Sequence, residues 1–170
     1  IYCYPAGKPE KSYTVPEGVY SIWNKSFAEA SNLEEVIFPD TLTFIDYYAF
    51  AGCQGLKTVT FPDSLTEIGN QAFDSCYNLT TVNLPANLEV IDPGAFVGCN
   101  KLKNIKIDKD NPNFTSVSGV LYNKKLDRLV MVPRTIKTFT IPDTVKTIGM
   151  SAFSSGGLES ITIPKNVREI

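Results

Sequence analysis

The sequence predicts an α/β solenoid: a right-handed coil with a parallel β-sheet on one face, short second strands, single helical turns behind and one inserted β-hairpin. Three observations predict it. A shift of 23 residues lays the chain on itself, with Phe27, Phe50, Phe73 and Phe96 in one column and Leu33, Leu56, Leu79 and Leu102 in another. Each period carries an alternating segment ended by a proline, as in Leu56-Lys57-Thr58-Val59-Thr60-Phe61-Pro62. The period breaks once, after Ile107, and then resumes. A fixed period in the twenties marks a solenoid, in which no repeat covers its own apolar face and stacking supplies the core. A single solenoid of about seven turns is therefore expected over residues 12–170, with residues 1–11 as an N-terminal cap or the remnant of an upstream turn.

The first turn is degenerate. Ser12-Tyr13-Thr14-Val15-Pro16 matches the end of a repeat, Val19 and Ile22 fill the next two apolar columns, and Ile1 to Pro9 fit no column. In the clean repeats that follow, Leu56, Val59 and Phe61 point inward while Thr58 and Thr60 point outward, the period-2 pattern of a half-buried strand. Pro39, Pro62 and Pro85 then stop successive strands at a common edge, because proline has no N–H for the ladder. Seven such strands are expected, near residues 12–15, 35–38, 58–61, 81–84, 104–107, 138–141 and 160–163, forming a parallel sheet about 30 Å long at ~4.8 Å per strand.

After each proline comes a turn and a short apolar segment such as Leu65-Thr66-Glu67-Ile68, read as a second short strand. The next column holds Asp46, Gly69, Asp92 and Gly149, residues tolerant of positive φ, and is read as a backbone corner. Ala49-Phe50, Ala72-Phe73 and Ala95-Phe96 follow, expected in a single helical turn that closes the coil and fills its centre. From Asp108 the next strand-ending proline, Pro142, comes 34 residues later rather than 23. The added length holds Val120-Leu121-Tyr122 and Leu129-Val130-Met131-Val132 around a polar loop, a β-hairpin near 117–133 in place of one helical turn. Asn111 and Phe114 then stand where the short segment has Leu and Ile.

The columns, Ala-Phe, then Cys, then Leu-x-x-Val-x-Phe-Pro, then Leu-x-x-Ile-Gly, resemble the BspA-like, or treponemal-type, leucine-rich repeats over about residues 12–170. The stretch from Asp108 to Pro142 is similar to the hairpin-bearing repeat of that family. The degenerate first turn, Trp23 in the corner column and Ser154-Ser155-Gly156-Gly157 in place of a cysteine-containing loop depart from the pattern. The resemblance implies a bacterial cell-surface or secreted protein, hence an extracellular or cell-surface location, and an adhesin or host-interaction module. Its implied partner is a protein ligand such as the host matrix proteins fibronectin and fibrinogen.

Composition narrows the function. With 16 basic and 18 acidic residues and a formal net charge of -2, the chain has no field to hold a polyanion, so nucleic acid is not an expected partner. No run of about 18 apolar residues is present, and no membrane insertion is expected of this fragment. Both ends read as cut from a longer chain. There is no histidine, which removes Ser-His-Asp and Cys-His catalysis and histidine-ligated metals. No enzyme activity, no cofactor and no metal are expected.

Cys53, Cys76 and Cys99 share one column with Ala30 and Gly156, which suits a narrow buried slot of free thiols; a disulfide between adjacent turns and a soft-metal ladder are the alternatives. Asp108 to Asn113 concentrates oxygen ligands without the spacing of an EF-hand, and reads as an Asx-rich turn or a weak calcium site.

Two surfaces are candidates for binding. The outward strand columns give Glu35, Ile37, Thr58, Thr60, Thr81, Asn83, Asn104, Lys106, Thr138 and Thr140, a flat and nearly neutral strip explained either by the β-propensity of threonine or by a ligand-binding concave face. The hairpin tip gives Lys124, Lys125, Asp127 and Arg128, on a loop that protrudes from a rigid coil. Protein binding by a monomer is the primary reading. A structural spacer presenting another domain, and a carbohydrate module using Tyr47, Tyr48 and Tyr77, are the alternatives.

Overall fold

A computed structural model describes residues 3–154 and 157–170. Its strands, numbered β1 to β15 along the chain, fall into two sets. The long strands are β1 (Ser12–Thr14), β3 (Glu35–Ile37), β5 (Thr58–Thr60), β7 (Thr81–Leu84), β9 (Asn104–Ile107), β13 (Thr138–Thr140) and β15 (Ser160–Thr162). The short strands are β2 (Ser21–Ile22), β4 (Phe44–Ile45), β6 (Glu67–Ile68), β8 (Val90–Ile91) and β14 (Thr147–Ile148). Seven long strands bound about six turns, one fewer than the expected count, which took every strand as a full turn.

Pairing is parallel, and its register repeats the sequence period: Thr58 opposes Thr81, which opposes Asn104, and Val59 opposes Val82, which opposes Ile105. The long strands do not form one sheet as expected. They form three ladders, β1-β3, β5-β7-β9 and β13-β15. Packing bridges the first gap, where Phe38 and Phe61 stack with ring centroids 5.8 Å apart. The second gap coincides with the inserted strands.

The core is a column of rings. Phe27, Phe50, Phe73 and Phe96 stack face to face with successive centroids 4.8, 5.0 and 5.3 Å apart. Tyr4 extends the stack, 5.2 Å from Phe27, and its N–H donates to Ser26 as that of Phe27 donates to Ala49. Tyr4 thus sits in the phenylalanine column, 23 residues before Phe27, although the sequence reading left that segment outside every column.

The helical turns expected around the Ala-Phe pairs do not form, and the described residues contain no helix. Two left-handed residues interrupt each of these segments: Tyr48 (φ 55°) and Gly52 (φ 75°) in one turn, Gln71 (φ 53°) and Ser75 (φ 57°) in the next, Gly94 (φ 74°) and Gly98 (φ 73°) in the third. Their N–H groups also bond sideways rather than along a helix, with Phe50 donating to Ala72 at 2.7 Å and Gly52 to Asp74 at 2.8 Å in the following turn. A helix needs right-handed φ throughout and N–H groups free for the i−4 carbonyl, and here both are spent on stacking.

Positive φ therefore lies two and six residues beyond the column of Asp46, Gly69, Asp92 and Gly149, not at that column as expected. Gly69 answers a different constraint. A Cβ there would stand 2.9 Å from the Tyr47 nitrogen and 3.0 Å from the Ile45 carbonyl oxygen of the preceding turn. Asp46 uses the same corner to join turns, accepting from the Tyr47 N–H at 2.7 Å and the Asn24 N–H at 3.2 Å.

The insertion is a three-stranded meander rather than a two-stranded hairpin. β10 (Phe114–Val117), β11 (Val120–Asn123) and β12 (Arg128–Met131) pair antiparallel in sequence, and β12 then pairs parallel with β14. Arg128 opposes Thr147 and Leu129 opposes Ile148, so β12 takes the register of the short strand. The Val132 N–H donates to Ala152 at 2.9 Å, the bond that Phe27, Phe50 and Phe73 make to Ala49, Ala72 and Ala95, and so Val132 takes the phenylalanine position of that repeat.

Candidate partner-binding surfaces

On the outer side of the long strands, the alternation that buries Val59, Val82 and Ile105 leaves their neighbours facing solvent. Glu35, Ile37, Thr58, Thr60, Asn104, Lys106, Thr138 and Thr140 are exposed, and Thr81 and Asn83 are half-buried. Hydrogen bonds run from rung to rung: Asn83 Nδ2 donates to Thr60 Oγ1 at 2.8 Å, Asn104 Nδ2 to Thr81 Oγ1 at 3.4 Å, and Ser12 Oγ to Glu35 Oε2 at 3.1 Å. The backbone register fixes the row, and these bonds fix the side chains within it. Charge enters beside the strip, where Glu34 bridges Lys11 at 2.7 Å and Lys57 at 3.7 Å. Both cations hold the Glu34 carboxyl below its ordinary value, the Lys11 hydrogen bond most of all.

The tip residues Lys124, Lys125, Asp127 and Arg128 do not extend this strip, because the meander belongs to the ladder of β14, on the short-strand side. Two of the four are committed to holding the meander. The Lys124 ammonium donates to the Asn111 carbonyl at 2.6 Å and the Lys109 carbonyl at 3.3 Å, and Asp127 Oδ1 accepts from Asn123 Nδ2 at 2.7 Å. Lys125 and Arg128 are exposed.

The turn from Asp108 to Asn113 is closed by its own groups. Asp108 Oδ1 accepts from the Asp110 N–H, Asn111 Oδ1 accepts from the N–H groups of Asn113 and Phe114, and the Lys124 ammonium sits against its carbonyls. A cation is thus already in place where calcium would need the same oxygens. Cys53, Cys76 and Cys99 are free and buried, each Sγ donating to the phenylalanine carbonyl of the preceding turn: Phe27 at 3.0 Å, Phe50 at 3.2 Å and Phe73 at 3.2 Å. Burial pushes the Cys53 thiol up, and a hydrogen bond with Cys99 together with burial raises Cys76. Gly156, placed in the same column by the sequence, lies outside the described residues.

One feature was not read from the sequence. A cleft of about 280 Å³ opens beside the meander, walled by residues 89–97 and by residues 149–151, with Phe114, Leu121, Val130 and Met131 beneath.

A family model for the BspA type leucine rich repeat region matches six copies over residues 2–129 and 132–170. The chain belongs to this family. Leucine-rich repeat domains generally mediate protein–protein binding. Among solved structures, a leucine-rich repeat protein from Eubacterium ventriosum is 30% identical with a TM-score of 0.83, over 94% of this chain and 43% of that one. A leucine rich cell surface protein from Faecalibacterium prausnitzii is 27% identical with a TM-score of 0.62, over 89% of this chain and 47% of that one. The pneumococcal vaccine antigen PcpA shares the fold, at 23% identity and a TM-score of 0.67, over 92% of this chain and 51% of its own. This BspA-type segment therefore spans about half the length of these solved relatives. None of the curated proteins matches it in sequence.

Proposed function

We propose that this BspA-type segment is a non-catalytic protein-binding module of a bacterial cell-surface or secreted protein, an adhesin or host-interaction domain that engages its ligand as a monomer through the outer face of the long strands. The observation that carries the reading is the row Thr58, Thr60, Thr81, Asn83, Asn104, Lys106, held in register by the β5-β7-β9 ladder, with side-chain bonds joining Asn83 to Thr60 and Asn104 to Thr81. Such a row offers donors and acceptors already fixed in place, so little side-chain entropy is lost when a ligand docks. Resemblance to repeats borne by surface proteins supports the location, and a host matrix protein fits as the ligand.

Size constrains the contact. Seven rungs at ~4.8 Å and strands about 10 Å long give about 300 Å², well short of the ~800 Å² each partner buries in a standard interface. The ligand must therefore also cover flanking turns, where Lys11, Glu34 and Lys57 supply the charge. A second reading, carbohydrate binding, is favoured by Trp23, Tyr47 and Tyr77, which are 68%, 46% and 42% exposed on the turns. Binding to immobilised fibronectin, fibrinogen and a glycan array at two salt concentrations separates these. Saturable binding to a protein supports the first reading, glycan binding lost on Tyr47→Ala supports the second, and silence on all three supports a structural spacer.

A further inference from the structure

β8 is paired on one edge only. β4 lies between β2 and β6, and β6 between β4 and β8, but beyond β8 the ladder stops. The period should supply another short strand there. Asn111 prevents it by accepting the N–H groups of Asn113 and Phe114, and β10 then pairs with β11 instead. The unpaired edge of Val90 and Ile91 borders the cleft described above.

Folded proteins usually protect such an edge with lysine, proline, a bulge or a covering loop, because it templates another strand. Val90 on this edge is 40% exposed, and Met150 on the facing wall is 73% exposed. The β8 wall is acidic: Glu89 and Asp92 line it, Glu67 stands in register beside Val90, and none of the three forms an ion pair among the described residues. Arg128 is on the opposite wall, alongside Gly149.

We propose that this cleft receives an extended basic segment of a partner protein, which adds to β8 as a strand and seats an apolar side chain between Val90, Met131 and Met150. Backbone bonds to the open edge supply affinity without regard to sequence, and the pocket and its charges supply selection. Glu89 and Asp92 favour lysine or arginine flanking the apolar residue. A second copy of this chain fits poorly, because symmetric pairing of two β8 edges sets Glu89 and Asp92 against their own counterparts. The site lies on the short-strand side, and the inference stands independently of ligand binding on the long-strand face.

The test is fluorescence anisotropy of a labelled Lys-Thr-Val-Lys-Val-Lys peptide titrated with the intact chain. Three comparisons accompany it: the Glu-Thr-Val-Glu-Val-Glu peptide, the basic peptide N-methylated at alternate amides, and the basic peptide with the Glu89→Gln/Asp92→Asn and Met150→Asp variants, whose folding is checked by circular dichroism. The expected result is saturable binding of the basic peptide, weakened about fivefold when the two carboxylates are neutralised and lost on methylation of the pairing amides. Failure of the basic peptide to saturate, equal binding of the acidic peptide, or indifference to methylation would overturn the proposal. Self-association that protects the Ile91 amide, since the Val90 N–H is already bonded to the Thr66 carbonyl, would assign the cleft to a second copy and overturn it as well.

Discussion

The Asn111 side-chain amide donates to the Leu88 carbonyl at 3.0 Å, from the column position that Leu42, Leu65 and Leu88 fill in the turns before it. The same amide donates to Pro85 at 2.9 Å, and its oxygen accepts two backbone N–H groups. One fully buried residue thus ends a regular turn and starts the meander.

Restoring the repeat pattern at that place should harm the protein. Asn111→Leu leaves the Asn113 and Phe114 N–H groups without partners and takes one of two donors from each of the Pro85 and Leu88 carbonyls, and each orphaned group costs about 1 to 3 kcal/mol before relaxation. A net loss of about 2 to 4 kcal/mol in urea denaturation is expected, whereas Leu88→Met, which conserves volume, should cost less than about 1.5 kcal/mol.

Core truncation should be far more costly than change on the outer face. Phe73 stacks between Phe50 and Phe96 with no exposure, and Phe73→Ala should cost about 3 to 5 kcal/mol, as should Leu56→Ala. Thr60→Ala, at an exposed rung, should stay within about 0.5 kcal/mol. Equal melting temperatures for Phe73→Ala and Thr60→Ala would refute the assignment of columns to core and surface.

The thiol column predicts reactivity and pH dependence together. Cys3 is exposed and should react at once with a thiol reagent, while Cys53, Cys76 and Cys99 should react only on unfolding. Cys53 and Cys76 have folded pKa values raised above the unfolded value of about 8.5, so the neutral thiol is the form the fold favours. Stability is therefore full below about pH 8.5 and falls as pH rises above it, by up to about 1.4 kcal/mol per pH unit for each such thiol. Burial of Tyr122 adds a loss of the same sign at higher pH. Urea midpoints between pH 7 and 10 should slope downward, and Cys53→Ala with Cys76→Ala should flatten the slope.

Much of the fold was legible in the sequence because its signals were local and repeated. Alternation places all seven long strands, six of them ended by a proline, and the 23-residue period fixes the register within β1-β3 and β5-β7-β9. The helical turns were misread because Ala-Phe looks the same in a helix and in a tight turn, and Tyr48 and Gln71 carry positive φ without a glycine to announce it. The third strand of the meander was missed because Phe114–Val117 continues the short-strand column in sequence while pairing with β11 in space.

The strip of candidate residues was legible only as a row of outward strand positions, and its rung-to-rung bonds were not. The cleft at β8 was not read from the sequence, although the broken period after Ile107 and Asn111 in the leucine column mark the missing neighbour from which it arises.

The measurement that tests the central claim most directly compares the unaltered chain with the quadruple variant Thr58→Glu, Thr60→Glu, Thr81→Glu, Asn83→Glu for binding to immobilised fibronectin and fibrinogen. Repulsion and desolvation of four carboxylates in the middle of the row should weaken binding at least about tenfold while the melting transition stays near its original temperature. Affinity unchanged in a folded quadruple variant would show that the ligand binds elsewhere and contradict the assignment of the long-strand face.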